Sequence, residues 1–281
     1  GADALRFSVI QGTGAGNDSK MSPVKLEAGR NFANKLWNAT RFVIRSIPEN
    51  KTFQALNPAQ FTLEDRWILS RLNRTVTEVN QMLETFQFGE ALSRIYDFLW
   101  SEYCDWYIEL AKVRLRPESK EISPLPVLIH VLETSLRLLH PFMPFVTEEL
   151  WQHLKHRAPG NWSQTDSIMV APYPQVEKNA QDVEEDCIIE PIIDIVRSIR
   201  NARSENKVGI NHWVTADVYA GDLTTQIKHY TEAVQSLARV KPLNFHGSRL
   251  GKTVTEKAVV AVLKDAAVVI PMASMVDLSA E

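Results

Sequence analysis

The sequence predicts a mainly α-helical protein, a helical bundle followed by a small α/β domain. Three observations carry that reading. From Pro23 to His156 the apolar residues recur at helical spacing, in segments broken by prolines or short polar stretches. The connections between those segments are short, which favours antiparallel neighbours in a bundle. After Asn206 the apolar period changes from that of a helix to the alternation of strands. The 281 residues, 44% of them hydrophobic and 23% charged, suffice for one large or two ordinary globular domains.

Taken in order, residues 1–11 read as the end of a helix belonging to something upstream. With no initiator Met, the chain reads as a piece of a longer protein. Gly12, Gly14 and Gly16 make a joint without the strand and Lys of a phosphate loop. Pro23 suits the first turn of a charged helix, and Ile47-Pro48 ends it. Thr62, with Asp65 three residues on, resembles a capping box that opens a helix from Leu63 to Phe86. A second long helix runs from Phe88 to about Leu115, and three prolines within 117–126 break the chain. Helices follow at Val127–His140 and Phe145–His156. Between them Pro141 cannot continue a helix and Pro144 can open one, so Phe142, Phe145 and Trp151 are expected to pack a corner.

Residues 157–182 turn to Pro, Gly, Asn, Ser and Gln, a connection between domains. Beyond it the pattern gives a helix at Glu184–Asn206, a strand at Trp213–Ala220, a helix at Leu223–Ala238 and a strand at Leu243–His246. Ala258–Leu263 and Ala266–Ile270, separated by Lys264-Asp265, fit a β-hairpin.

Several function classes find no support. Cys104 and Cys187 are the only cysteines, which suggests a reducing compartment and not a disulfide framework. No apolar run reaches the ~18 residues of a membrane span. Glu149, His153 and His156 share a face, but a zinc site wants more ligands and H-E-x-x-H is absent, so no metal is expected. Glu102, Asp105 and Glu109 recur along one helix with no nucleophile nearby, and read as ion pairs across the bundle. No Ser/His/Asp or Cys/His set assembles, so no catalytic residue is assigned.

The segment Arg30–Arg45 is different. Wound at about 100° per residue, it places Phe32, Ala33, Leu36, Ala39, Val43 and Ile44 on one side. The other side holds Arg30, Asn31, Asn34, Lys35, Asn38, Arg41, Phe42 and Arg45. No acidic residue lies between Glu27 and Glu49. Ordinary helix surface mixes charges and avoids asparagine. Cations for phosphates, amides for base edges and a ring for stacking are what RNA recognition uses. A plain solvated face, with Phe42 in the core, is the competing reading. Net charge is −3, so RNA binding has to come from a local patch. Arg197, Arg200 and Arg203 form a second stripe, open to a phosphate contact or to salt bridging.

Together G-A-D-A-L-R-F, R-N-F-A-N-K-L-W-N-A-T-R-F, W-S-E-Y-C-D-W-Y-I-E, H-P-F-M-P-F-V-T-E-E-L-W, I-V-R-S-I-R-N-A-R-S-E and the closing V-I-P-M-A-S-M-V-D resemble the C-terminal portion of valyl-tRNA synthetases, in their order and over nearly the whole chain. The proline-rich corner is shared with isoleucyl, leucyl and methionyl relatives; N-K-L-W-N-A-x-R-F is more particular to the valyl enzymes. The resemblance implies a class I synthetase anticodon-binding bundle over 23–160. Residues 1–22 would be the end of the catalytic or connective region, 161–182 the connection, and 183–281 the α/β domain preceding a coiled-coil arm. It implies a monomeric cytoplasmic tRNA(Val)-recognition fragment that does no chemistry, with neither membrane nor metal as partner, and no cofactor; ATP and Mg belong to the full-length ligase.

Lys20-Met21-Ser22-Pro23 looks like the family's ATP loop K-M-S-K-S, but it lacks the second Lys and sits after G-A-D-A-L-R-F, so it is read as coincidence. By the same resemblance Lys35, Arg41 and Phe42 face the anticodon, and the helix with Trp100 and Cys104 forms the opposing wall. Arg30, Asn31, Asn34, Asn38 and Arg45 join them from the helical arc, and Arg197 and Arg200 are secondary candidates. The alternatives are the isoleucyl enzyme, against which the lack of a Cys-rich tail argues, and a non-catalytic helical protein-interaction module.

Overall fold

The computed structural model describes residues 1–12, 14, 21–49, 56–119, 121–158, 164–176, 186–248 and 257–275. Gly16, Lys20, much of the acidic run from Asp182 and the Cys187 side chain lie outside them. The chain divides into two compact units, Gly1–Asp182 and Val183–Glu281.

The first unit is helical: α1 (Ala2–Ile10), α2 (Pro23–Ser46), α3 (Leu63–Glu84), α4 (Phe88–Asp97), α5 (Ile108–Arg114), α6 (Leu125–Leu139) and α7 (Pro144–Arg157). Start signals behave as their chemistry requires. The Ser22 hydroxyl accepts from the Lys25 amide at 3.3 Å with Pro23 at the first position of α2. Asp65 Oδ2 accepts from the Thr62 amide at 3.2 Å, the reciprocal half of a capping box. The core is built from Phe32, Leu36 and Val43 of α2, Trp67, Ile68 and Leu72 of α3, Leu132 and Leu136 of α6, and Trp151 of α7, all buried.

Three features depart from expectation. The second long helix is not α-helical throughout: between α4 and α5, Phe98–Tyr107 winds as a π-helix, and the Ile108 amide donates to Tyr103, five residues back. Phe145 does not pack the corner; it is 65% exposed, while Phe142 and Trp151 are buried. Its place is taken by α1. Asp3 accepts from the amides of Phe145 and Val146, the latter at 2.6 Å, and so caps α7. Arg6 donates to the carbonyls of Pro141 and Phe142 at 2.9 and 3.1 Å. Finally, the expected helix Leu223–Ala238 is two short ones, α9 (Thr224–Lys228) and α10 (Thr231–Ala238). The Thr231 hydroxyl donates to the Lys228 carbonyl at 2.6 Å, a local bond that competes with a continuous helix.

Helix α1 sits close on α2 because Gly29 has no side chain. A Cβ there would stand 2.8 Å from the Ala4 carbonyl oxygen and 3.1 Å from Phe7. The described part of the expected connection, 164–176, is fastened to the bundle. Asn80 and Arg137 donate to the carbonyls of Pro174 and Pro172, and the Tyr173 hydroxyl to that of Leu138.

In the second unit α8 (Asp186–Glu205) and α10 pack with a four-stranded sheet of order β2-β1-β4-β3. The strands are β1 (Val214–Tyr219), β2 (Val240–His246), β3 (Ala258–Val262) and β4 (Ala267–Pro271). β1 and β2 are parallel, with Ala216 opposite Leu243, and α9 and α10 supply the crossover that parallel strands need. β3 and β4 form the expected hairpin, Val260 opposite Val269. Alternate residues Val214, Ala216 and Val218 of β1 are buried, as period-2 patterning requires.

Candidate nucleic-acid interface

Helix α2 divides the residues singled out along it into two sets. Arg30, Asn31, Asn34, Asn38, Arg41 and Arg45 are all exposed and form a continuous strip at helical spacing. Trp37, to which the amphipathic pattern assigned no side, joins them at 41% exposure with its ring edge-on to His153. Lys35 and Phe42 lie half-buried on the flank of that strip.

The strip is the uncommitted part. Among the described residues Arg30 pairs with Glu27 alone, at 3.4 Å and with both side chains more than half exposed. Such pairs contribute little. Among the described residues, Arg41, Arg45 and the three asparagines have no side-chain hydrogen-bond or ion-pair partner. Arg45 also stands in the last turn of α2, where a cation complements the helix dipole.

The flank is a closed contact with the π-helical segment and α5. Lys35 Nζ donates to Asp105 Oδ1 at 2.6 Å and stands 3.8 Å from the centroid of the Trp100 ring. Trp100 stacks on Tyr96, which in turn meets Phe32 edge-on, so the platform under Lys35 is continuous with the core. Lys112 Nζ lies 5.4 Å from the Phe42 centroid. Lys112 carries no signal in the sequence beyond its spacing from Glu109, with which it pairs. Cys104, half-buried beside this contact, has its thiol pushed up to about 12, first by burial and then by Asp105 and Glu109, with Lys35 acting in the opposite direction.

The π winding separates acids that α-helical spacing would place together. Asp105 turns to Lys35 of α2, whereas Glu102 turns to Arg71 of α3 at 2.8 Å and to Arg94 at 3.3 Å. Ion pairing across the bundle, expected for these three acids, is what Glu102 and Asp105 do; Glu109 pairs within its own helix.

The second stripe, on α8, is largely occupied. Arg203 is buried and donates to the carbonyls of His212, Gly209 and Arg239 at 2.7, 3.0 and 3.3 Å. Arg200 donates to the Leu237 carbonyl at 2.9 Å, and Arg197 lies 3.7 Å from Asp194. No group of three or more acids, histidines or cysteines suited to a metal occurs among the described residues, and no described helix is long and apolar enough to cross a membrane.

The family model described as the anticodon-binding domain of tRNA ligase matches residues 65–219. A valine–tRNA ligase of Dehalococcoides mccartyi is 50% identical over the whole of this chain, and one of Bacillus cereus is 35% identical over the same span. The chain spans 32% and 31% of those relatives' lengths. A solved LeuRS-tRNA-LeuAMS ternary complex from Agrobacterium radiobacter K84 aligns with 79% of the chain at 17% identity and a TM-score of 0.49.

Proposed function

The chain belongs to the anticodon-binding domain family of tRNA ligases, and on that premise we propose that its α2 surface holds the anticodon arm of valine tRNA. The observation that carries the reading is the exposed strip on α2, where Arg41 and Arg45 have no partner among the described residues and Phe42 lies on the flank. Arg41, Arg45 and Arg30 meet phosphates. Asn31, Asn34 and Asn38 offer amides to base edges, because single-stranded loops expose those edges. Phe42 stacks on one base, an interaction worth ~1–3 kcal/mol. Lys35 acts from the flank with Trp100 and Cys104 behind it. Arg197 and Arg200 are secondary contacts. Valine as the amino acid rests on the likeness to the two valine–tRNA ligases.

In this reading residues 23–160 are the anticodon-binding bundle, 1–22 the end of a connecting region, 161–182 a connection and 183–281 a separate α/β domain. The chain recognises RNA as a cytoplasmic monomer and does no chemistry. ATP and Mg serve the ligase reaction of the longer relatives. No residue of this chain is assigned to them.

Fluorescence-anisotropy titration tests the proposal, with valine tRNA and with the same transcript carrying an exchanged anticodon, at fixed low salt. Tighter binding to the native anticodon, reduced about tenfold by Phe42→Ala and by Arg41→Ala, is the expected result. Equal binding to both transcripts means that the strip is a phosphate platform. No binding to either overturns the tRNA reading of the strip.

A further inference from the structure

The strip on α2 has two edges, and an aromatic ring stands at each. Arg30, Arg41, Asn34, Arg45, Asn38 and Asn31 follow one another around the helix at about 100° per residue. Phe42 lies roughly 70° to one side of their middle and Trp37 roughly 70° to the other. The two edges differ. Phe42 is half-buried against α5, where Lys112 Nζ stands 5.4 Å from its centroid. Trp37, on the α7 edge, is 41% exposed, whereas Trp67 and Trp151 of the same bundle are buried.

Trp37 is held without being enclosed. Its ring meets that of His153 on α7 at 6.0 Å and 86°. A perpendicular contact covers at most one face of the indole. His153 Nε2 lies 3.1 Å from Glu149 Oε1, so that carboxylate is engaged along its own helix. Among the described residues the indole N–H of Trp37 has no hydrogen-bond partner. Asn34 precedes Trp37 by three residues and Arg41 follows it by four, so both adjoin it on the helix surface. A flat ring, an amide and a guanidinium side by side match the face of a base, its edge and its phosphate.

We propose that Trp37 is a second stacking residue of this surface. One unpaired base of the tRNA loop lies on its indole at the α7 edge, and Phe42 serves another base at the opposite edge. The inference rests on the α2 reading and goes beyond it by giving the strip a ring on each side. Stacking is uncharged, so it adds affinity without releasing counterions, and that separates Trp37 from its neighbour Arg41.

The test titrates the whole chain with valine tRNA across a series of salt concentrations. Trp37→Leu should weaken binding about tenfold, and Trp37→Phe, which keeps a ring, should recover most of the loss. The slope of log affinity against log salt should hold its parent value in Trp37→Leu and fall in Arg41→Ala, because stacking neutralises no phosphate. A second readout needs no destabilising variant. In the chain labelled with 5-fluorotryptophan, the fluorine resonance missing from Trp37→Phe belongs to Trp37, and it should move when tRNA is added. Binding that Arg41→Ala weakens and Trp37→Leu does not overturns the stacking proposal and leaves the α2 reading intact. A Trp37 resonance that stays in place at saturating tRNA does the same. A loss in Trp37→Leu that Trp37→Phe fails to restore also overturns it, and returns the indole to packing against α7. No tRNA binding by the parent chain overturns the α2 reading, and this inference with it.

Discussion

Helices α2 and α8 each carry three arginines along one side, Arg30, Arg41 and Arg45 on the first and Arg197, Arg200 and Arg203 on the second. On α8 one of the three, Arg203, turns inward, while Arg197 and Arg200 stay exposed. Arg203 satisfies three carbonyls of its own unit and Arg200 one more. On α2 the three point to solvent, and two of them have no partner among the described residues. A positive charge whose donors are consumed by carbonyls stabilises a loop; one held at the surface without a counter-ion raises the local potential and attracts anions. What separates Arg203 from the arginines of α2 is whether a loop offers carbonyls within reach: one does at Gly209–His212, and among the described residues none accepts from Arg41 or Arg45.

Arg114 of α5 is the limit of the inward kind, and replacing it should have the largest effect. Its guanidinium contacts Glu64, Asp65, Thr62 and the Ile122 carbonyl; burial disfavours its charge, but Asp65 and Glu64 outweigh that and hold its pKa above the usual range. Arg114→Met removes the buried cation from the carboxylates of Glu64 and Asp65 and should cost about 3–5 kcal/mol in urea denaturation of the first unit. A loss under 1 kcal/mol would mean that the cluster relaxes without it. Next, Arg203→Met should lower the stability of the second unit by about 2–3 kcal/mol, because three part-buried carbonyls lose a charged donor. If that variant unfolds no earlier than the parent, α8 is no different from α2.

The outward pair should behave in the opposite sense. Arg41→Ala with Arg45→Ala should change stability by less than ~0.5 kcal/mol. It should weaken tRNA binding about tenfold or more and reduce the salt dependence of that binding by about one ion for each phosphate no longer neutralised. A lower melting temperature with unaltered RNA affinity would reverse the assignment. The smallest effect is chemical. In a Cys187→Ser background, alkylation of Cys104 by iodoacetamide at pH 8 should be much slower than that of free cysteine, because a thiol pushed up to about 12 stays protonated there. The rate should climb only in strongly alkaline buffer; ordinary reactivity at pH 8 would show the flank beside Lys35 to be wet.

Much of α2 was legible from its sequence because amphipathicity is local. Phe32, Leu36, Ala39 and Val43 are buried, and the six outward residues are exposed, as a fixed angle per residue dictates. The sequence could not place Lys35. Its position depends on Asp105, 70 residues away, and on a π turn that no spacing rule announces. The same holds for one partner of Arg203, the Arg239 carbonyl 36 residues away at the start of β2, whereas Gly209 and His212 follow closely in the chain. Phe145 departs from the pattern for a related reason. Its helix start is capped by Asp3, more than 140 residues earlier, so the ring was not needed in the corner.

The grip of α1 has a mechanical meaning. The helix is held at Asp3 by the start of α7, at Arg6 by the Pro141–Phe142 carbonyls, and along Ala4 and Phe7 by the notch at Gly29. A rod clamped on two sides neither slides nor rolls. A torque applied to α1 is therefore delivered to α2 and α7 together, and the strip carrying Arg41 and Arg45 turns as one stiff body with it.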